Sequence, residues 1–84
     1  MSINTPEPAV TVYGQPGCQQ CKTMLRHLTN KGIKAEYRDV TEDEAALKWV
    51  NDMGYQSVPV TRIGFRHFQG FDPDEVERSL AALA

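Results

Sequence analysis

The spacing of apolar and polar positions changes several times along the chain, and each change marks an element. Val10 to Tyr13 (VTVY) is a short β-rich run, ended by the turn residues Gly14, Pro16 and Gly17. Beyond the turn, Cys21, Met24, Leu25 and Leu28 fall at i, i+3, i+4 and i+7. That is one apolar stripe on a helix, and Gly32 stands where its C-terminal cap belongs. Ala35 to Val40 reads as a second short strand. Thr41, followed three residues later by Glu44, has the form of a capping box. The helix it opens carries Ala46, Trp49, Val50 and Met53 on one side and closes at Gly54. Pro59 to Ile63, Gly64, then Phe65 to Gln69 read as a hairpin. Asp72 and Glu75 form another cap-like pair with Pro73 at the favoured first helical position, and Val76, Leu80 and Leu83 give this last helix its buried stripe.

The predicted order is β-α-β-α-β-β-α, an α/β fold. A strand–helix–strand start implies parallel pairing through a right-handed crossover, and a closing hairpin adds antiparallel strands. The product is a four-stranded mixed sheet flanked by three helices, with helices on both faces. The chain has no internal repeat and no low-complexity segment.

Length and charge narrow the function classes. At 84 residues there is room for one domain, which the pattern places at residues 10–84. Met1 to Ala9 is polar, contains Pro6 and Pro8, and reads as a flexible lead-in. It lacks the basic start and apolar run of a signal peptide. No apolar stretch approaches the roughly 20 residues of a membrane span. The expected location is therefore the cytoplasm, away from membranes. A net charge of −2 leaves no electrostatic footprint for nucleic acid. No apolar stripe is left unassigned, so the expected state is a monomer.

The candidate chemistry lies at the only two cysteines, Cys18 and Cys21. Dithiol exchange needs an accessible sulfur that is partly ionised at neutral pH, and a second thiol able to resolve the mixed disulfide. Cys18 follows Pro16-Gly17 where the first helix begins, so unpaired backbone N–H groups and the positive end of the helix dipole favour its thiolate. Cys21 lies in the first turn beside it and on the apolar stripe, which predicts a more buried thiol of higher pKa. A Cys-x-x-Cys pair alone is a weak signal, but after a strand and opening a helix it is a strong one.

Other readings of the pair make specific demands. Zinc normally takes four ligands, and only His27 and His67 remain. His27 is six positions after Cys21, about 240° around the helix at 100° per residue, so it points away. A purely structural disulfide does not suit a reducing compartment. His67 reads as a strand or hairpin residue with a packing role. Lys22 and Arg26, at i and i+4, mark an exposed strip, which leaves most of the pKa lowering at Cys18 to helix position and local N–H groups.

Three stretches, VTVYGQPGCQQC at Val10 to Cys21, GYQSVPV at Gly54 to Val60 and HFQGFDPDEV at His67 to Val76, make the chain resemble NrdH-type redoxins. These are glutaredoxin-shaped electron donors of class Ib ribonucleotide reductase, with the thioredoxin fold. The family's active pair is usually Cys, a small apolar residue, Gln, Cys; here Gln20 matches and Gln19 departs. The resemblance implies that Cys18 and Cys21 are catalytic and that the redox unit is their disulfide, with no bound cofactor and no metal. It implies substrate contacts at Gln19, Gln20, Val58, Pro59, Gly70 and Phe71. Val58-Pro59 would be the cis-proline step whose backbone pairs with an incoming peptide or glutathione. The family's usual Trp-Ser-Gly-Phe-Arg-Pro is here Phe68-Gln69-Gly70-Phe71-Asp72-Pro73, which removes an indole N–H at Phe68 and reverses a charge at Asp72.

The resemblance also implies the partners. NrdH-type redoxins are reduced by thioredoxin reductase with NADPH, and the client is ribonucleotide reductase or another protein disulfide. Glutaredoxins instead use glutathione, held in part by a lysine three residues before the first cysteine. That position is Gln15, and Gln19-Gln20 replaces the familiar Pro-Tyr, so both argue for thioredoxin reductase. Asp72 argues for glutathione, near where glutaredoxins hold the γ-glutamyl amine, unless it caps the last helix. A glutathione-dependent glutaredoxin is thus the alternative. A non-catalytic adaptor is a further one, although this chain keeps both cysteines and the proline. Cluster or metal carriage in this fold usually relies on a single active cysteine.

Overall fold

The strand β1 (Val10–Gly14) is the axis on which the rest is assembled. In the computed structural model, which describes residues 9–83, it pairs in parallel with β2 (Glu36–Asp39) and antiparallel with β3 (Val60–Ile63). The strand β4 (Arg66–Gln69) completes a mixed sheet of order β2-β1-β3-β4. Helix α1 (Gln19–Asn30) makes the β1–β2 crossover, α2 (Glu44–Asp52) links β2 to β3, and α3 (Pro73–Leu83) follows the hairpin. The expected element order and sheet are those observed.

Alternation along β1 sends its side chains to two separate cores. Val10 and Val12, with Ile63 of β3, pack on Met24 and Leu28 of α1 and Val76 of α3. Tyr13 and Val60 point the other way and pack with Val40 and with Ala46 and Val50 of α2. Two helices therefore cover one face and one helix the other. Each fully buried aliphatic side chain contributes about 1.5–3 kcal/mol by leaving water.

The helix ends follow local chemistry. Gly32 adopts φ +76° beyond α1; its N–H donates to Thr29 O and that of Ile33 to Leu28 O, the paired bonds of a Schellman cap. Gly54 and Tyr55 close α2 the same way, through Asn51 O and Val50 O. Asp72 caps α3, its Oδ1 accepting Glu75 N–H at 3.1 Å.

Several expected details differ. Strand β2 covers Glu36–Asp39 rather than Ala35 to Val40. The N-cap of α2 is Asp43 and not Thr41. Asp39 Oδ1 takes both the Thr41 N–H (2.8 Å) and hydroxyl (2.6 Å), so Thr41 is spent on a turn. Asp43 Oδ1 accepts Ala46 N–H at 3.0 Å while Arg38 holds Oδ2 through Nε at 2.9 Å. Met53 is 44% exposed because it is the C-cap of α2 and lies past the apolar stripe. On α3 the stripe is Val76, Ser79 and Leu80, and Leu83 is 47% exposed in the last turn. The Ser79 hydroxyl is buried with partners, accepting Arg66 Nε–H at 3.2 Å. Ala9 is not part of a free lead-in, since its carbonyl accepts Gly64 N–H at 2.9 Å. The remainder of the expected lead-in lies outside the described residues. Among those described, no helix is long and apolar enough to cross a membrane.

Candidate active site

β1 delivers the chain to the turn Pro16-Gly17, and Cys18 follows in extended conformation (φ −89°, ψ 109°) as the N-cap of α1. In place of the usual Ser or Asp oxygen, Cys18 Sγ accepts the Cys21 N–H, at 3.1 Å. Cys18 and Cys21 are joined by a disulfide with Cα atoms 5.2 Å apart. Cys18 is half-exposed, whereas Cys21 is 2% exposed, on the α1 stripe with Met24 and Leu28. The outer sulfur is therefore the accessible one, set where helix N–H groups stabilise negative charge.

The opposite wall is the loop entering β3. Val58-Pro59 is cis, and the Val58 carbonyl oxygen lies 4.0 Å from Cys18 Sγ. Pro59 is buried, and its carbonyl accepts Gly70 N–H at 2.8 Å, tying the end of β4 to this loop. Gly70 has φ +82°, and a β-carbon there would stand 3.7 Å from Gln20 Oε1. Gln20, Gly70, Pro59, Val58 and Cys18 thus form one continuous rim. Gln19 is exposed on the first turn, its carbonyl accepting the Thr23 hydroxyl at 3.1 Å. Phe71 is half-buried against the α1–α3 core, edge-on to His27 at 5.4 Å, so it supports the rim from behind. Beside Val58 a groove of about 260 Å³ is lined by Gln15 and Ser57 and by Leu47, Val50 and Asn51 of α2.

The cationic and imidazole side chains fall where spacing put them. Lys22 and Arg26 are exposed on α1. His67 packs edge-on against Trp49 and Tyr55 and shares a 2.7 Å hydrogen bond between its Nδ1 and the Tyr55 hydroxyl. Among the described residues, no group of three or more His, Cys, Asp or Glu side chains is placed to hold a metal ion.

Two neighbours of the cysteines were not singled out from the sequence. A β-carbon on Gly14 would stand 2.9 Å from Cys21 Sγ, 2.8 Å from Tyr37 Cε1 and 3.2 Å from the Tyr37 hydroxyl oxygen. Gly14 therefore leaves open a space that the Tyr37 ring borders on one side and the inner sulfur on the other. Burial, and then the Asp39 carboxylate, raise the Tyr37 pKa above the ordinary phenol value. The signal available was register. Parallel pairing sets Tyr37 beside Val12 and Asp39 beside Gly14, which places Tyr37 on the α1 face of the sheet.

Comparison with known proteins agrees with this geometry. The glutaredoxin family model matches residues 10–68. The chain is 35% identical over 72 residues to the Gene 56 protein of Mycobacterium phage D29, covering 81% of this chain and 78% of that one. It is 30% identical over 69 residues to the glutaredoxin-like protein NrdH of Lactococcus lactis, covering 82% of this chain and 96% of the relative. The solved structure of NrdH-redoxin from Escherichia coli superposes with a TM-score of 0.78 at 29% identity, over 82% of this chain and 91% of that one. With its disulfide-forming pair at a helix N-terminus, the chain belongs to the glutaredoxin family as an NrdH-type thiol–disulfide oxidoreductase of the thioredoxin fold.

Proposed function

We propose that the protein is a cytoplasmic, monomeric dithiol electron donor that reduces a protein disulfide and is itself re-reduced by thioredoxin reductase at the expense of NADPH. The client proposed is class Ib ribonucleotide reductase. The observation that carries the reading is the asymmetry of the pair, with Cys18 half-exposed and accepting a helix N–H while Cys21 lies 2% exposed beneath it. The Cys18 thiolate attacks one client sulfur, and the other leaves as thiolate. The Cys21 thiol then gives up its proton and displaces the bound client sulfur, closing Cys18–Cys21. Two electrons pass to the client. An extended client segment meets the Val58 carbonyl by backbone pairing. Gln19, Gln20 and Gly70 line its approach over the buried Pro59, and Phe71 holds that wall in place.

The choice of reductant rests on charge. Gln15 offers no cation for a glutathione carboxylate, and the Asp72 carboxylate serves the α3 N-terminus. The E. coli relative is described as having a thioredoxin-like activity profile, which we carry to this chain. The test is a pair of coupled assays, NADPH with thioredoxin reductase against glutathione with glutathione reductase. Turnover is expected in the first, with a potential nearer the roughly −270 mV of thioredoxin than the about −200 to −230 mV of glutaredoxins. Efficient turnover in the second alone overturns the reductant. Cys18→Ser abolishes client reduction, and full client activity in that variant would mark an adaptor instead.

A further inference from the structure

The inner thiol presents a difficulty that the outer one does not. Cys21 is 2% exposed, so the thiolate it must become, both when it resolves a mixed disulfide and when it leaves an attacked one, lacks water to stabilise it. Its backbone N–H is already directed at Cys18 Sγ. What faces Cys21 Sγ across Gly14 is Tyr37, ring edge and hydroxyl oxygen both within 3.2 Å of a point that is itself 2.9 Å from that sulfur.

We propose that Tyr37 is a thiolate-stabilising residue, its hydroxyl donating a hydrogen bond to Cys21 Sγ as charge develops there. The position is specific to this sheet register. Tyr37 pairs with Val12, and only a residue without a side chain at 14 lets the phenol reach over the strand. Burial, and then the Asp39 carboxylate on the same face, raise the phenol pKa further above neutral, and that carboxylate is occupied by Thr41 through its N–H and hydroxyl. Tyr37 is 42% exposed, so it can turn toward the sulfur without disturbing the core. In the resolving step the proton of the Cys21 thiol is taken up by the client thiolate released in the first exchange, the Tyr37 hydroxyl binds the Cys21 thiolate without losing its own proton, the Cys18–client bond breaks and the Cys18–Cys21 bond forms. In the reverse direction the same hydrogen bond receives Cys21 as the leaving group.

The test separates the two sulfurs and needs neither client nor reductase. Reduced protein is mixed with an aryl disulfide whose released thiolate is coloured (dithiobis-nitrobenzoate). The first coloured thiolate reports Cys18 attack, and the second reports displacement by Cys21. In Tyr37→Phe, which keeps the ring, the second phase should slow about tenfold, the factor expected for a hydrogen bond to a charged group. The first phase should be unchanged. Because the hydrogen bond acts on forward and reverse steps alike, the reduction potential should also be unchanged. A second phase within twofold of the parent overturns the proposal, as does equal slowing of both phases, which a merely structural role would produce.

Discussion

Gly14 is the residue on which the inner half of the site depends, because nothing larger fits between Cys21 and Tyr37. Gly14→Ala adds one methyl group against a sulfur fixed on α1 and a ring that can swing outward. Tyr37 is the side that yields. Overpacking of this kind costs about 1–3 kcal/mol, so the denaturant midpoint of Gly14→Ala should fall. Displacing the ring should also slow the Cys21 phase of the aryl disulfide reaction while sparing the Cys18 phase. Loss of stability with both phases at parental rates would mean that the ring and sulfur do not interact. Tyr37 was hard to read from sequence because its partner lies across a strand and its importance depends on register. Cys18 and Cys21 were legible because turn, cap and stripe all fall within one short stretch. The Gln20–Gly70 approach and the cis state of Val58-Pro59 depend on contacts far apart in sequence, and the second was reached through family resemblance.

At the scale of elements, helix caps decided where local reasoning succeeded. Asp72-Pro73 placed the start of α3, and Gly32 and Gly54 the ends of α1 and α2. Thr41 misled because two side chains competed for one role. Asp39 captured Thr41, leaving Asp43 to cap α2 with Arg38 clasping its second oxygen. The bond from Ala46 N–H and then that from Arg38 hold the Asp43 carboxyl below the ordinary carboxylate range. Arg66 and then Arg78 do the same to Glu75. A depressed carboxylate contributes stability that is present above its unfolded pKa of about 4 and is lost as pH falls through its lower folded value. Asp43→Asn and Glu75→Gln should therefore lower Tm at pH 7, and the difference from the parent should vanish as acid protonates the parental carboxyls. Thr41→Ala should cost less at pH 7 than Asp43→Ala. Thermal unfolding across that pH range reads all of these, and a penalty for Asp43→Asn that persisted in strong acid would refute the electrostatic account.

At the scale of the molecule, one sheet separates two cores that carry different tasks. The α1–α3 side seats Cys21 through the same stripe that buries Met24 and Leu28, while the α2 side builds the groove next to Val58. The parallel-then-antiparallel order of strands was legible, since crossover and hairpin rules leave few alternatives. Which stripe residues stay covered was not, because Met53 and Leu83 sit at helix ends and stay partly in solvent. Leu28→Ala tests the link between core and chemistry. Truncating a fully buried leucine costs about 2–5 kcal/mol, a large part of the roughly 5–10 kcal/mol that holds a small domain together. Leu28 lies two turns beyond Cys21 on α1, however, and the thiolate-stabilising N–H groups are at the other end of the helix. The denaturant midpoint should fall steeply while Cys18 in the remaining folded protein alkylates at the parental rate. A slower Cys18 at equal folded fraction would instead mean that the thiolate-stabilising first turn of α1 is held by the core, and that sulfur reactivity follows packing throughout the domain.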